Sequence, residues 1–338
     1  MKVLLYLENM KMMSASGIGR AIAQQQISLK ENDVEYTLNK KDNFDIAHIN
    51  SYTSGSYHLM RKLQKKGYKV IVHAHSTHED LKNSFRLIWL LQPFYNLLLN
   101  RMYSHADLIL TPTPYSKSLV EKYKGVNTKI IPISNGIDVK AYEYNQEYVD
   151  EFKKYFDIKD GEKVVIGVGF YFKRKGIDDF FEVARKFPDV KFIWFGHLSK
   201  ILTSSYINKC IRHKPSNCIL PGYIKGNIIK GAYSYASCML FPTREETEGI
   251  VTLEALASKC PLIVRDHPVF APWLVNNVNC YKGKNIEEFT SLVKKCLDSK
   301  DENIINNGYK VAQDRDLKII GGQLKKIYED LLQTKTNK

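Results

Sequence analysis

Glu246 and Glu254, with seven residues between them, bracket a glycine at the point where a buried apolar run gives way to a helical pattern. Both carboxylates can face one crevice. Gly249, Ile250 and Val251 open the helix, and backbone N–H groups at that positive end form a seat for phosphate oxygens. A capped surface helix carrying acids near its N-terminus accounts for the same residues. A second candidate lies at Lys173, Arg174 and Lys175, in another strand-to-helix loop. There the cations either neutralise a diphosphate or form a solvated charge run. A third, Gly17-Ile18-Gly19-Arg20, opens a helix and either cradles a diphosphate or makes a plain turn. It is not a dinucleotide fingerprint: Leu7 is too far upstream, the third glycine is absent and no acid follows about twenty residues on. His48, His73, His75 and His78 gather in the first half. Alternation along a strand sends His73 and His75 to one face, and His73 reads as packing or hydrogen bonding within the sheet rather than as a metal ligand.

These residues need strands and helices to hold them. Cys238–Phe241 is a short apolar strand stopped by Pro242, so the loop from Thr243 to Gly249 lies at the carboxyl end of a strand, where open α/β sheets bind ligands. Leu253, Leu256 and Ala257 continue at helical spacing until Pro261. Upstream, apolar runs at Val3–Leu7, Asp45–Ile49, Lys69–His73, Ala106–Leu110 and Lys129–Ile133 alternate with helical patterns, among them Ala21–Leu29 with Ala21, Ile22 and Ile27 as apolar members. Downstream the strands are Lys163–Gly169, Lys191–Gly196, Cys218–Ile224 and Leu262–Val264. Alternation of this kind implies parallel sheets with right-handed crossovers. A chain of 338 residues suits two such domains. We place them at 1–148 and 149–315, with Val139–Asp160 as the connection, followed by a final segment, 316–338, within a helix read over Asp314–Leu332 whose stripe is Leu317, Ile320, Leu324, Ile327 and Leu331.

Fifty Lys and Arg against 36 Asp and Glu give a net charge of +14, which suits an anionic membrane surface, a nucleotide-sugar donor or nucleic acid. No nucleic-acid module is recognisable, so nucleic acid is not an expected partner. All six cysteines lie in the second half without C-x-x-C spacing and read as reduced thiols of a cytoplasmic protein. The N-terminus enters a strand at once and shows no signal-peptide architecture. Leu87–Leu99 is too short to cross a bilayer and is interrupted by Gln92, Pro93 and Asn96. The surrounding segment, Glu79–Tyr103, is so rich in large apolar side chains that it serves as a buried crossover helix, as a lipid-facing surface, or as both. In the lipid-facing reading Trp89 and Phe94 enter the membrane, with Lys82, Arg86 and Arg101 at headgroup depth. Pro93 is expected to break or kink the helix.

Phe241-Pro-Thr, Glu246, Gly249-Ile-Val and Glu254-Ala-Leu-Ala together resemble, in one ungapped block, the signature of the retaining GT-B glycosyltransferases of family four. Ser134-Asn-Gly-Ile-Asp138 resembles the phrase that closes the family's first domain, and Arg265–Trp273 resembles a further family loop. The resemblance implies a GT-B fold, two Rossmann-like parallel-sheet domains facing a cleft, with the C-terminal helix returning to the first domain. It places Glu246 and His75 beside the donor sugar, Glu254 on the nucleotide ribose, Lys175 on the diphosphate, and the Gly249, Ile250 and Val251 amides against the diphosphate or sugar. Gly17, Gly19 and Arg20 face the donor phosphates and acceptor. Two departures stand out. Lys259 replaces a glycine, and Phe170 occupies an arginine position whose role Arg174 is then expected to take.

Lys2–Glu8, Ser16–Arg20, His73–Thr77 and Arg244–Val251 look most like bacterial enzymes that add a second hexose to monoglucosyldiacylglycerol. The implied reaction is metal-independent and retaining, with UDP-glucose or UDP-galactose as substrate, a glycolipid as acceptor and no cofactor. The implied location is the cytoplasmic face of the cell membrane, bound peripherally to anionic lipid. The alternatives are a transferase of cell-surface polysaccharide assembly, a nicotinamide-dependent oxidoreductase and a non-catalytic sugar-binding module.

Overall fold

A computed structural model describes residues 1–13, 16–82, 84 and 88–334. It divides into two compact units: Met1–Glu79, Trp89–Asp138 and Arg315–Lys338 form the first, and Asp80–Ile88 with Val139–Asp314 the second. Each unit is built on one parallel sheet of six strands. In the first these are β1 (Lys2–Tyr6), β2 (Glu35–Thr37), β3 (Ile46–Ile49), β4 (Lys69–His73), β5 (Leu108–Thr111) and β6 (Ile130–Pro132), ordered β2-β1-β3-β4-β5-β6. The second holds β7 (Val164–Val168), β8 (Lys191–Phe195), β9 (Cys218–Gly222), β10 (Cys238–Phe241), β11 (Leu262–Arg265) and β12 (Tyr281–Gly283), ordered β12-β11-β10-β7-β8-β9. Central strands are buried on both faces, as helix-covered parallel sheets require: Val3, Leu4, Leu5, Ile46, Ala47 and Ile49 in one, Val164 to Ile166 and Cys238 to Phe241 in the other.

Strand order reverses once in each sheet, between β1 and β3 and between β7 and β10. A crevice opens there, because the loops leaving the two neighbouring strands turn to opposite faces of the sheet. The C-terminal helix, Leu317–Gln333, belongs to the first unit. It packs on the helix Gly17–Glu31, where Ile320, Leu324 and Tyr328 join Ile22 and Leu29 in one core.

Three expectations need correction and a fourth is narrowed. Val139–Asp160 is more than a connection: Gln146–Phe156 is a helix of the second unit, capped by Asn145, which buries Val149, Phe152 and Phe156 and packs on the helix Asn227–Tyr235. The helix Ile88–His105 is continuous through Pro93, so of the expected break or kink no break occurs. The helix read over Asp314–Leu332 begins later, at Leu317, and runs to Gln333, with Asp316 capping it through the Lys318 amide. Ile27 is exposed, and Leu29 takes its place in the core.

Candidate active site

The loops that leave β7 and β10 meet at the reversal point of the second sheet. Gly176 ends the short 3-10 turn Lys173–Lys175 with a φ of 75°, and a Cβ there would collide with the Pro242 backbone. Only glycine lets the two loops come so close. Their contact brings the charged residues together. Lys175 Nζ is paired with Glu246 Oε1, Arg174 Nη1 lies 3.7 Å from the same oxygen, and Thr243 Oγ1 is 3.0 Å away. All three charged side chains are largely buried. Burial raises the Glu246 carboxyl, but the charges of Lys175 and Arg174 outweigh it and hold the group below the usual carboxylate range. Burial also pulls Lys175 below the ordinary lysine value, against its pairing with Glu246.

Arg174 is fixed on three sides. Its Nε donates to Ser84 Oγ at 2.8 Å, its Nη1 donates to the Glu245 carbonyl at 3.0 Å, and its own carbonyl accepts from the Arg244 amide at 2.6 Å. Arg244 in turn ties the Glu246 loop to the helix that follows Gly176, through Asp178 at 2.8 Å and Asp179 at 2.7 Å. Arg265 also pairs with Asp179. Beyond the loop, Gly249 caps the helix Ile250–Ala257 with a φ of 85° and no side-chain acceptor. Glu254, buried one turn on, accepts a hydrogen bond from Tyr233 Oη at 2.8 Å. Lys259, in the glycine position, adopts the left-handed φ of 54° and so keeps the glycine turn, at a cost of about 1 kcal/mol. The strand-end loops therefore hold two cations on one carboxylate, and the same loop leads into a helix N-terminus followed by a second buried carboxylate. That chemistry suits a diphosphate with hydroxyls on either side of it.

Two family profiles match the chain: "Glycosyl transferases group 1" over residues 149–311 and "Glycosyltransferase Family 4" over residues 35–141. A curated relative, the processive diacylglycerol alpha-glucosyltransferase of Acholeplasma laidlawii, is 49% identical over 99% of this chain and 100% of its own length. The chain is a GT-B glycosyltransferase of family four. A more distant relative, the alpha-galactosylglucosyldiacylglycerol synthase of Streptococcus pneumoniae, is 24% identical over 80% of this chain and 73% of its own. Among solved structures, Anabaena Alr3699/HepE in complex with UDP-glucose superposes with a TM-score of 0.77 at 14% identity, covering 98% of this chain and 100% of that one.

In this glycosyltransferase the residues expected at the site fall into two sets. Glu246, Lys175 and Arg174 come together in the second unit, and Gly249, Ile250, Val251 and Glu254 lie on the helix start that follows the Glu246 loop in the same unit. Arg174 reaches Glu246 beside Lys175, and Phe170 instead meets Phe172 edge-on at 5.6 Å. His75, Gly17, Gly19 and Arg20 belong to the first unit. Gly17, Gly19 and Arg20 form the first turn of their helix, capped by Ser16 Oγ on the Gly19 amide at 3.1 Å. His75 is buried and stacks on His73 with ring centroids 4.1 Å apart, while His73 stacks on His48 at 5.3 Å.

Hydrogen bonds order the stack. Tyr328 Oη is 2.7 Å from His48 Nδ1, and His48 Nε2 is 3.2 Å from His73 Nδ1. Gln25 Nε2 donates to Asn50 Oδ1 at 2.9 Å, and His75 Nε2 lies 2.8 Å from the same oxygen. Burial first, then neighbouring imidazoles, lower His48 to about 3 and His73 well below its usual value. Burial alone lowers His75 to about 3.

Sequence reasoning missed Thr243, Ser84, Arg244, Tyr233 and Tyr328. Of these, Thr243 and Arg244 stand inside the motif itself, and Tyr328 sits four residues beyond Leu324 at helical spacing. Among the expected membrane residues, Lys82 and Arg101 are exposed and Phe94 is 58% exposed. Arg86 and the Trp89 side chain lie outside the described residues.

Proposed function

We propose that this enzyme moves an α-glucosyl group from UDP-glucose to the sugar of a monoglucosyldiacylglycerol, giving a diglucosyl lipid with retention at the anomeric carbon. The observation that carries the reading is the buried Glu246, Lys175 and Arg174 cluster at the β7/β10 reversal point, in a chain that is 49% identical along its length to a processive diacylglycerol alpha-glucosyltransferase. Lys175, Arg174 and the amides of Gly249, Ile250 and Val251 neutralise the diphosphate as the bond from its oxygen to C1 breaks and the electron pair leaves with UDP. The acceptor hydroxyl attacks C1 from the same face and passes its proton to the departing phosphate. Preorganised charge carries most of this work, since the cations are already desolvated and held. Glu246 binds the sugar and stabilises its developing positive charge, and Glu254 holds the ribose; the family resemblance further assigns His75 to the sugar and Gly17, Gly19 and Arg20 to the phosphates and acceptor. The first unit takes the acceptor and the second the donor.

The enzyme binds the membrane peripherally. Among the described residues no helix is long and apolar enough to cross a bilayer. Leu90, Leu91, Phe94 and Leu97 are each about half exposed, 49–58%, and recur on one side of the helix Ile88–His105, whereas Leu99, Met102 and Tyr103 are buried. One helix thus serves the core and presents an apolar face with Arg101 near its end.

The test is incubation of the purified protein with UDP-glucose or UDP-galactose and monoglucosyldiacylglycerol micelles, followed by mass and linkage analysis. An α-linked diglucosyl lipid from UDP-glucose is expected. Absence of a lipid product with either donor overturns the reading, and a product from UDP-galactose alone reassigns the donor.

A further inference from the structure

The reversal point of the first sheet, between β1 and β3, carries a different chemistry from the cationic one in the second. Glu8 lies two residues past β1, and Asn50, Ser51 and Tyr52 follow β3 directly. Glu8 is held in place. Its amide donates to Ser51 Oγ at 3.1 Å, and its Oε2 accepts from Ser56 Oγ at 3.2 Å. Ser56 Oγ is itself 2.7 Å from Ser51 Oγ and 2.8 Å from Thr53 Oγ1. Gly55 makes room, because a Cβ there would collide with the Glu8 carboxylate. Beside this group the Tyr6 phenol is raised above its usual value, first by burial and then by the Glu8 charge.

An aromatic pair begins at the residue after Ser51, the partner of the Glu8 amide. Tyr52 meets Tyr95 edge-on, with centroids 6.5 Å apart at 66°. Tyr95 lies on the helix Ile88–His105, next to the exposed Phe94, with those two rings 6.4 Å apart. A carboxylate fixed among hydroxyls, then tyrosines, then an exposed apolar helix face follow one another within a single unit.

We propose that Glu8 and the Tyr52–Tyr95 pair form the seat for the acceptor's sugar, with the pyranose hydroxyls donating to Glu8 and its apolar face against the tyrosines. This rests on the glycolipid acceptor argued above. An ionised carboxylate offers about four lone-pair sites and no donor. Ser56 occupies one, so the remainder suits a ring bearing several hydroxyls. A bare diacylglycerol has a single hydroxyl and fills the seat poorly, which makes Glu8 a selector for lipids that already carry a hexose. The tyrosines present flat, half-wet surfaces of the kind that cover a sugar's C–H face, with their polar ends still accessible to water.

The experiment is steady-state transfer to monoglucosyldiacylglycerol in mixed micelles, with donor and acceptor varied separately, for wild type, Glu8→Gln and Tyr52→Leu. Glu8→Gln is expected to raise the acceptor KM about tenfold, the loss of hydrogen bonds to a charged group, while the KM for UDP-glucose stays within about twofold. Tyr52→Leu is expected to show the same acceptor-only split, which keeps the test decisive should Glu8→Gln fold poorly. Wild type that forms diglucosyl lipid, alongside a folded Glu8→Gln with unchanged acceptor KM or a raised donor KM, overturns the seat alone. Wild type that forms no glycolipid overturns the acceptor reading and the seat with it.

Discussion

Glu246 keeps its charge in a buried place because Lys175 and Arg174 share the cost of its desolvation, and the cluster retains a net positive charge to meet the diphosphate of the proposed donor. Those cations bear on metal dependence. With charge neutralisation supplied by side chains and amides, transfer is expected to proceed at an undiminished rate in excess EDTA. A rate abolished by chelation and restored by magnesium or manganese would reassign the diphosphate to a metal. Glu254 carries the second prediction at this scale. Tyr233 fixes one of its oxygens, and the carboxylate is expected to accept the ribose hydroxyls. Glu254→Gln should weaken UDP binding about tenfold, as hydrogen bonds to a charged acceptor contribute about 1.5–3 kcal/mol. A calorimetric affinity within about twofold of wild type would remove the ribose role. These residues were legible because they lie in motifs at strand ends. Ser84 was not: its bond to Arg174 joins positions far apart in the chain, and a lone serine carries no signal of such a partner.

The elements of the first unit converge on a polar core that the sequence showed only as scattered histidines. His48 comes from β3, His73 ends β4, Gln25 lies on the helix Gly17–Glu31 and Tyr328 on the C-terminal helix. Strands were readable as short apolar runs, some of them closed by Pro or Gly as at Gly169, Gly196 and Pro242. The edge strands β2 and β12 were not, being three residues each and partly polar. The helix Gln146–Phe156 was hidden by its charged surface, although Val149, Phe152 and Phe156 mark one face. No spacing rule brings the histidines together, because their contact depends on strand register and helix packing. Their burial has a thermodynamic consequence. His48 and His75 are lowered to about 3 in the folded protein and His73 is lowered well below its ordinary value, while in the unfolded chain all three protonate near 6.5. The unfolded state therefore binds more protons below that pH. Stability is full above about pH 6.5 and falls on acidification towards about 3, by about 1.4 kcal/mol per pH unit for each histidine. Urea midpoints at pH 7.5, 6 and 5 should decline progressively. His48→Gln should flatten that decline, whereas a midpoint constant across the range would mean that solvent reaches the imidazoles.

Across the whole molecule a net charge of +14 meets one helix with an unburied apolar face. Neither is sufficient alone. Completing the burial of Leu90, Leu91, Phe94 and Leu97, each already about half buried, contributes about 1 kcal/mol apiece. Lys82 and Arg101 near an anionic surface contribute about 1 kcal/mol each. The sum, about 6 kcal/mol, corresponds to a dissociation constant of tens of micromolar, reversible attachment that either half can abolish. The electrostatic half is screened beyond a Debye length of about 8 Å at physiological salt. Flotation with vesicles containing anionic lipid should therefore weaken as salt rises, and vesicles of neutral lipid should recover less protein. Leu91→Ser with Phe94→Ser should leave a folded protein with unchanged UDP affinity, since both side chains are more than half exposed, yet reduce flotation about tenfold or more. Gln at Lys82 and Arg101 should act in the same direction and also reduce the salt dependence. The core side of the same helix supplies the contrast: Leu99→Ser, at a fully buried position, should destabilise the fold rather than spare it. A Leu91→Ser, Phe94→Ser protein that floats like wild type would return this face to a role other than lipid binding.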